Sequence, residues 1–363
     1  MRRTDPLIVG GGPGGAAAAI ALARHGAKPL LLERHAEPQD ALCGGFMSWQ
    51  TLATLDRLGI ETNALGGHKV SEVALFAGKR SVCARLPAPG MGLSRRALDT
   101  RMLARAGAAG ADIEYGVNVA SAETGGQLRL ADGAHIGSGA LFLATGKYEL
   151  RGLKRDVLPE RDSWMGLRYR LPATAGLRAA IGGAIELHLF DRGYAGLVLQ
   201  ESASANLCMA LRRSRLAEAG GHPLDLLRQL ADEMPSLAAR LNESDWPSHA
   251  DAVGLVPYGW REKTGADGIF RLGDQAAVIP SLAGEGIGIA IASGRSAAEA
   301  YLGRGPHAAS DWQERFARQA RRPVAIANRL KALAEKPSNA GMAIPLARIP
   351  GVLRLLAGAT RIA

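Results

Sequence analysis

Residues 10–15 of the 363-residue chain read Gly-Gly-Gly-Pro-Gly-Gly, and they directly follow the apolar run Leu7–Val9. A short apolar run without polar alternation is typical of a strand that is buried on both faces. Five glycines in six residues let the backbone turn tightly and let a following helix pack closely on the strand. An alanine-rich stretch that ends at Gly26 predicts this helix, and Pro29–Glu33 predicts a second strand.

The spacing Gly10-x-Gly12-x-x-Gly15 and the position of Glu33 indicate what this strand–turn–helix–strand unit binds. In a Rossmann unit the free amides at the start of the helix face the pyrophosphate of a dinucleotide. A carboxylate at the end of the second strand accepts hydrogen bonds from both hydroxyls of the adenosine ribose, and it repels a 2′-phosphate. The unit therefore predicts FAD or NAD in preference to NADP.

A second glycine-rich stretch lies far downstream. Gly273-Asp274 follows a predicted strand, and Gly284-Glu285-Gly286-Ile287 leads into a predicted helix that ends near Leu302. The aspartate offers a carboxylate to a ribityl hydroxyl, and the start of the helix can stabilise negative charge near N1 and O2 of a flavin. Because NAD has no ribityl chain, this stretch favours non-covalently bound FAD.

The segments between these motifs predict an α/β chain: a Rossmann-type FAD-binding domain, a second antiparallel-sheet substrate domain and a C-terminal helical segment. We assign residues 1–160 and 250–305 to a discontinuous FAD-binding domain. Alternating apolar and polar residues assign residues 161–249 to the antiparallel sheet, which the predicted hairpin 69–86 can join. Residues 306–363 form the basic C-terminal segment. Ser48 and Ser94 are predicted to cap helices that end near Gly59 and Gly110.

The net charge of +10 is concentrated at the end of the chain, where residues 311–363 hold ten basic and three acidic residues. Aromatic residues are scarce there, so the charge does not indicate nucleic-acid binding. Two interpretations remain open: a cap that is packed on the body with a solvated basic face, or an interfacial element that lies on an anionic membrane or delivers a lipid-like substrate. Pro345 and Pro350 are predicted to break the segment into short helices. Both interpretations depend on its apolar residues, which are Leu330, Leu333, Ile344, Leu346, Ile349, Val352, Leu353, Leu355 and Leu356.

Further features restrict the class of protein. The three cysteines form no CxxC pair and the eight histidines are dispersed, so neither a disulfide scaffold nor a metal site is expected. This cysteine usage fits a cytoplasmic protein, with membrane association as the alternative. No uninterrupted apolar run is long enough to predict a membrane-spanning helix. The sequence leaves the oligomeric state open.

Several motifs occur in an order that resembles a known family. They are Gly10 to Glu33, Ser94-Arg95-x-x-Leu98-Asp99, Ala144-Thr145-Gly146, and Gly273-Asp274 through Gly284-Glu285-Gly286-Ile287. Together they resemble the FAD-dependent hydroxylase superfamily of the para-hydroxybenzoate hydroxylase type, over about residues 5–302. Two features point to its geranylgeranyl-reductase-like branch. They are Gly-Glu-Gly-Ile in place of Gly-Gln-Gly, and Cys43-Gly44-Gly45 in the loop after Glu33.

The resemblance implies roles for individual residues. Arg95 would contact the FAD phosphate region, and Asp274 would contact the ribityl chain. Pro280 and the Gly284–Ile287 turn would lie beside the isoalloxazine ring. The complete set of expected FAD-binding residues is Gly10, Gly12, Pro13, Gly14, Gly15, Glu33, Arg34, Arg95, Ala144, Gly146, Gly273, Asp274, Pro280, Gly284, Glu285, Gly286 and Ile287.

The chain departs from the family pattern in three places. The stretch 144–151 lacks the Asp-Gly motif that many aromatic hydroxylases use for both FAD and NADPH, which puts direct NADPH use in doubt. No second complete GxGxxG follows a strand, so no separate nicotinamide domain is expected, and the electron source is NAD(P)H or a separate reductase. The Trp-x-Trp-x-Ile-Pro signature of flavin-dependent halogenases is missing.

The expected function is that of a FAD-dependent oxidoreductase. We favour a monooxygenase that hydroxylates or epoxidises an apolar aromatic, polyketide or isoprenoid substrate through a flavin C4a-hydroperoxide. The alternative within enzymes is a carbon–carbon double-bond reductase that resembles prenyl reductases. A non-catalytic escort protein on the same fold is the alternative outside enzymes, and the intact FAD motifs argue against it.

Candidate residues for the chemistry come from the sheet and from the loop that follows Glu33. Cys43, Tyr194 and His188 are candidates for catalysis, and Phe46, Trp164, Arg168 and Tyr194 are candidates for substrate contact. Each catalytic candidate has a structural alternative. Cys43 can be a small buried residue, Tyr194 a half-buried strand tyrosine, and His188 a solvent-facing strand residue.

Overall fold

A computed structural model describes residues 2–4, 6–123, 127–202, 204–336, 351 and 358–361. Its helices, numbered along the chain, are α1 (Pro13–Arg24), α2 (Trp49–Arg57), α3 (Arg95–Ala108), α4 (Ala175–Ile181), α5 (Arg213–Glu218), α6 (Pro223–Glu233), α7 (Pro235–Leu241), α8 (Gly286–Arg304) and α9 (Ala308–Ala334). The Ser48 and Ser94 hydroxyls accept hydrogen bonds from the first turns of α2 and α3, which confirms both predicted caps.

A parallel sheet forms the centre of the molecule, in the strand order β17-β11-β2-β3-β7. These strands are β2 (Leu7–Val9), β3 (Leu30–Glu33), β7 (Asp112–Tyr115), β11 (Leu141–Leu143) and β17 (Ile269–Arg271). Alternate residues leave its two faces: Ile8 and Phe142 pack on the helices, whereas Leu7 and Leu141 pack on a small sheet. That small sheet contains β1 (Arg2–Arg3), β8 (Val119–Glu123), β9 (Gln127–Leu130) and β10 (His135–Gly137).

A larger sheet of eight strands covers the carboxyl ends of the parallel strands. Its strands, in spatial order, are β16 (Asp251–Val253), β12 (Trp164–Pro172), β15 (Ser204–Arg212), β14 (Gly193–Leu199), β13 (Ala184–Phe190), β5 (His68–Ala77), β6 (Arg80–Gly92) and β4 (Phe46–Met47). All neighbours are antiparallel except β13 and β5, which run parallel. The hairpin β5–β6 and the strand β16 are therefore part of this sheet, and α4, α6 and α7 cover one of its faces.

The predicted fold class is confirmed, since a parallel Rossmann-type core, a separate antiparallel sheet and a C-terminal helix are all present. The apolar side of α9, with Trp312, Phe316 and Val324, belongs to the main core. Residues 337–350 and 352–357, which include the predicted breaks at Pro345 and Pro350, lie outside the described residues. The two interpretations of that segment stay predictions. No helix in the described part of the chain is long and apolar enough to cross a membrane.

Helices α1 and α8 touch through their backbones. A Cβ atom at Gly294 of α8 would lie 2.1 Å from the carbonyl oxygen of Gly14 in α1. At the start of α1, a Cβ at Gly15 would lie 2.0 Å from the carbonyl oxygen of Gly10, as the third-glycine role predicts. Only glycine permits either approach without movement of the backbone.

We expect Gly294→Ala to lower the free energy of unfolding by about 1–3 kcal/mol, because the added methyl group forces the two helices apart. The matched control is Gly303→Ala on the same helix, where no atom lies within 4 Å of the added Cβ. That control is expected to raise stability by about 0.4–1 kcal/mol through the lower entropy of the unfolded chain. Urea unfolding measures both. Equal effects of the two substitutions would contradict the close packing of α1 on α8.

Candidate functional site

A cavity of about 1290 Å³ lies between the carboxyl ends of the parallel strands and the eight-stranded sheet. The turns that follow β2, β11 and β17 line one part of it, and side chains of the eight-stranded sheet line another. A crevice at the carboxyl ends of parallel strands is where open α/β sheets bind their ligands. Most of the expected FAD-binding residues line this cavity: Gly10, Gly12, Pro13, Gly14, Glu33, Arg34, Arg95, Ala144, Gly146, Gly273, Asp274, Gly284, Gly286 and Ile287.

The glycine turn and Glu33 form the first part of the site. The Gly11 N–H donates to Oε2 of Glu33 at 2.7 Å, and the His35 N–H donates to Oε1 at 3.0 Å, so the carboxylate is fixed at the end of β3. No side chain caps the first turn of α1. The exposed amides of a helix start and a fixed carboxylate are the two groups that an ADP moiety requires. The residues present therefore fit a dinucleotide.

Arg95 lies directly beside the glycine turn. Its Nη2 atom is 3.1 Å from the place that a Cβ of Gly12 would occupy, and its Nε and Nη2 donate to Asp99 at 3.0 and 2.7 Å. Burial lowers the pKa of the Arg95 guanidinium, but the Asp99 carboxylate outweighs burial and leaves this pKa above its usual value. The result is an oriented positive charge next to the turn that would hold the pyrophosphate.

The second part of the site is built on the residues that follow β17. Asp274 lies 3.5 Å from Nζ of Lys147, and both line the cavity. The Gln275 side chain donates to the carbonyl oxygens of Gly146 and Tyr148 at 2.9 and 3.0 Å, which ties the Ala144–Gly146 turn to the Gly273-Asp274 turn. Lys147 was not among the predicted residues, although it directly follows a recognised motif.

The third part is the turn before α8. Gly284 has φ +66°, and a Cβ there would lie 2.9 Å from Cδ1 of Phe46, so this turn and Phe46 are in contact. The Pro280 and Glu285 side chains do not line the cavity, and neither does Gly15. Their predicted contact with FAD stays a prediction, since a Cβ at Gly15 would meet the Gly10 carbonyl oxygen and the Glu285 side chain is turned towards α2 and Arg361.

The substrate side of the cavity contains a cluster of three hydroxyl groups. The Tyr194 hydroxyl lies 2.7 Å from Oγ of Ser281 and accepts a hydrogen bond from the Leu282 N–H at 3.0 Å. The Tyr258 hydroxyl lies 3.1 Å from the same Ser281 oxygen. Burial raises the pKa of both tyrosines well above the usual value, so both phenols remain protonated. Tyr194 is thus at the site as predicted, whereas Tyr258 and Ser281 were missed.

Apolar side chains form most of the remaining wall. They are Val73, Leu75, Leu86, Ile185, Leu187, Leu189, Met209, Val253, Val256, Val278, Leu330 and Leu333. An apolar ligand that covers this wall removes apolar surface from water, which is favourable, so the wall favours an apolar ligand. The described part of the chain contains no cluster of His, Cys, Asp and Glu that could hold a metal ion.

Two of the predicted loop and sheet candidates are held by hydrogen bonds. Cys43 lines the cavity, and the Asn206 amide fixes its loop by donating to the Cys43 and Gly44 carbonyl oxygens at 3.0 and 2.9 Å. Arg168 also lines the cavity, but its guanidinium donates to Asp251 at 2.9 and 2.7 Å and to the Ala41 carbonyl oxygen at 2.8 Å. Arg168 is thus an anchor for the loop rather than a free substrate contact.

The other two sheet candidates lie elsewhere. His188 is fully buried on the opposite face of β13, where its Nε2 lies 3.1 Å from Glu186 and its ring stacks on Phe76. Side chains alternate along a strand, so Leu187 and Leu189 face the cavity and His188 cannot. Trp164 packs behind Tyr194 and Tyr258 and does not line the cavity. The predicted catalytic role of His188 and substrate contact of Trp164 are wrong.

We expect Glu33→Gln to weaken FAD binding about tenfold or more, because the amide loses the charge that orders the Gly11 turn and accepts the ribose hydroxyls. Glu37→Gln, at an exposed position four residues later, is the matched control and should leave binding unchanged. Quenching of FAD fluorescence on titration with apoprotein measures both. An unchanged affinity in Glu33→Gln would show that the ribose binds elsewhere.

Comparisons with known proteins agree with this geometry. The family described as FAD binding domain matches residues 3–131. A menaquinone reductase of Mycobacterium tuberculosis is 28% identical over 360 residues, which cover 92% of this chain and 84% of that protein. Digeranylgeranylglycerophospholipid reductase 2 of Methanopyrus kandleri is 27% identical over 312 residues, which cover 81% of this chain and 76% of that protein.

Solved structures share the fold. A geranylgeranyl bacteriochlorophyll reductase-like protein from Thermoplasma acidophilum superposes with a TM-score of 0.79 at 19% identity, over 99% of this chain and 97% of its own. The probable FAD-dependent monooxygenase PqsL from Pseudomonas aeruginosa superposes with a TM-score of 0.73 at 18% identity, over 94% of this chain and 100% of its own. These comparisons show that residues 3–131 match the FAD binding domain family and that the chain shares its fold with both solved structures.

Proposed function

We propose that this FAD-dependent oxidoreductase reduces a carbon–carbon double bond in a long apolar substrate of the isoprenoid type. The observation that carries the proposal is the cavity itself, in which the FAD-binding turns continue into an apolar wall from the eight-stranded sheet and α9. A wall of this kind binds a hydrocarbon chain by burial of apolar surface, at about 0.8 kcal/mol for each buried methylene group.

The relatives support this reaction class. The two curated relatives described above are named as reductases of a menaquinone and of a digeranylgeranyl lipid, and each match covers more than four fifths of this chain. The monooxygenase and halogenase structures share the fold at lower identity. We therefore give reduction more weight than the hydroxylation that the sequence alone favoured.

In the proposed mechanism, the start of α1, Glu33 and Arg95 would hold FAD, which when reduced would be the source of hydride. The apolar wall would orient the double bond and exclude water. Reduction also needs a proton at the second carbon, and the neutral Tyr194 phenol is the donor on the cavity wall. Ser281 and Tyr258, which are hydrogen-bonded in series with Tyr194, can return a proton to it.

Hydroxylation remains the second candidate function. The same three hydroxyl groups offer an otherwise apolar cavity one place to hold the oxygen of a phenolic substrate. Because the pKa of each tyrosine is raised, the cluster does not supply a phenolate base, which an electron-rich aromatic substrate would need for activation. A non-catalytic escort role is disfavoured, since Glu33, Arg95 and Asp274 all line the cavity.

The decisive experiment reduces the holoenzyme without oxygen and adds a geranylgeranyl lipid that contains no quinone ring, so that only a carbon–carbon double bond can accept the hydride. We expect the product to gain two hydrogen atoms, as measured by mass spectrometry, and the flavin absorbance of the oxidised state to return. A parallel reaction in isotopically labelled oxygen tests hydroxylation. Incorporation of labelled oxygen, with no anaerobic turnover, would replace reduction by hydroxylation, and a colourless protein that FAD cannot reconstitute would favour the escort role.

We expect Tyr194→Phe to lower kcat about 100-fold or more, because general acid catalysis contributes at least that much, while the affinity for FAD stays the same. Tyr115→Phe, at an exposed position on β7, is the matched control. The solvent hydrogen isotope effect on kcat gives a second readout, since a purely structural role of the phenol would not change it. A normal kcat in Tyr194→Phe would remove Tyr194 as the proton donor.

A further inference from the structure

The end of the chain returns to the cofactor cavity. Thr360 and Arg361 line this cavity together with the Gly284–Ile287 turn. The Thr360 residue is buried, and the Arg361 side chain is 4% exposed. No motif in the sequence indicated that residues so close to the C-terminus belong to the site.

Arg361 is held by charge and by stacking. Its Nε lies 3.1 Å from Oε1 of Glu285, whose side chain is also 4% exposed, and its guanidinium lies 3.9 Å from the ring centroid of Trp49 at the start of α2. A planar guanidinium that stacks on an aromatic ring and pairs with a carboxylate is a geometry that lysine does not reproduce. The pair therefore joins three segments: the chain end, α2 and the start of α8.

Glu285 gives this contact its importance. It stands between Gly284 and Gly286, both of which line the cavity, so a movement of Glu285 moves the turn. Burial raises the pKa of Glu285 to about 7, and the Arg361 charge and the Ser48 hydroxyl oppose this rise. Without Arg361, the carboxyl group would be buried without a compensating cation, which is strongly unfavourable.

We propose that Arg361 is a positioning residue of the cofactor site, which fixes the Gly284–Ile287 turn by pairing with Glu285 against Trp49. Thr360 and Arg361 are on this view a part of the FAD site. The inference rests on FAD binding alone, and it holds for reduction and for hydroxylation of the substrate alike.

The test is a double-mutant cycle in the full-length protein, with the Kd of FAD and the midpoint potential of the bound flavin as readouts. We expect Arg361→Ala to weaken FAD binding about tenfold and to shift the potential, because the turn loses its anchor. Arg361→Lys keeps the charge but loses the stacking on Trp49, so an intermediate effect is expected. Arg101→Ala, on the exposed side of α3, is the matched control without an effect.

Glu285→Gln separates this proposal from a general loss of packing. In the Glu285→Gln background no buried carboxylate needs a cation, and the Arg361 guanidinium has already lost its ion-pair partner, so the further change Arg361→Ala should not weaken FAD binding by more than about twofold. An equal effect of Arg361→Ala in both backgrounds, or an effect no larger than that of Arg101→Ala, would overturn the proposal. If Arg361→Ala fails to fold, the comparison of Arg361→Lys in the two backgrounds gives the same decision. Normal FAD binding in every variant would overturn this role whatever the turnover, whereas the proposed reaction is tested separately by the turnover of the unmodified protein.

Discussion

The whole site depends on the direct contact between the backbones of α1 and α8. Gly14 and Gly294 let the two helices approach until a single methyl group would not fit between them. Each helix begins at the cavity: α1 follows the glycine turn near Glu33, and α8 follows the turn at Gly284. Because the two starts are held in one rigid unit, the two ends of an extended cofactor can be bound at a fixed separation.

The cavity has a polar half that fits the cofactor and an apolar half that fits the substrate. Backbone amides, Glu33, Arg95 and Asp274 supply the polar half, and the eight-stranded sheet supplies the apolar half. The only hydroxyl cluster that we find among the described residues of that apolar half joins Tyr194, Ser281 and Tyr258. One cluster of hydroxyl groups in an apolar surrounding suits chemistry on a hydrocarbon better than recognition of a charged ligand.

The ends of the chain contribute in different ways. The first strands build the dinucleotide unit, and α9 closes the main core through Trp312 and Phe316. Arg361 then reaches Glu285 at the start of α8. This contact lies outside the motifs from which the FAD site was predicted, so it adds to the site a feature that those motifs do not contain.

The local helices, strands and turns of this protein follow from its amino-acid sequence alone. The glycine turn, the strand ending in Glu33, the caps at Ser48 and Ser94 and the Gly273-Asp274 turn follow from chemistry within a few residues of each other. They sufficed to predict the fold class and FAD, since glycine and capping residues act on their own backbone.

Which side chains come into contact depends on the tertiary structure. The alternation in Glu186-Leu187-His188-Leu189 puts Leu187 and His188 on opposite faces, but it did not reveal that the apolar face lines the cavity and that the polar face is buried as well. The parallel pairing of β5 with β13, the place of Tyr258 and the return of Arg361 to Glu285 join residues far apart in the chain. Such contacts depend on how complete elements pack, and no local pattern of residues encodes them.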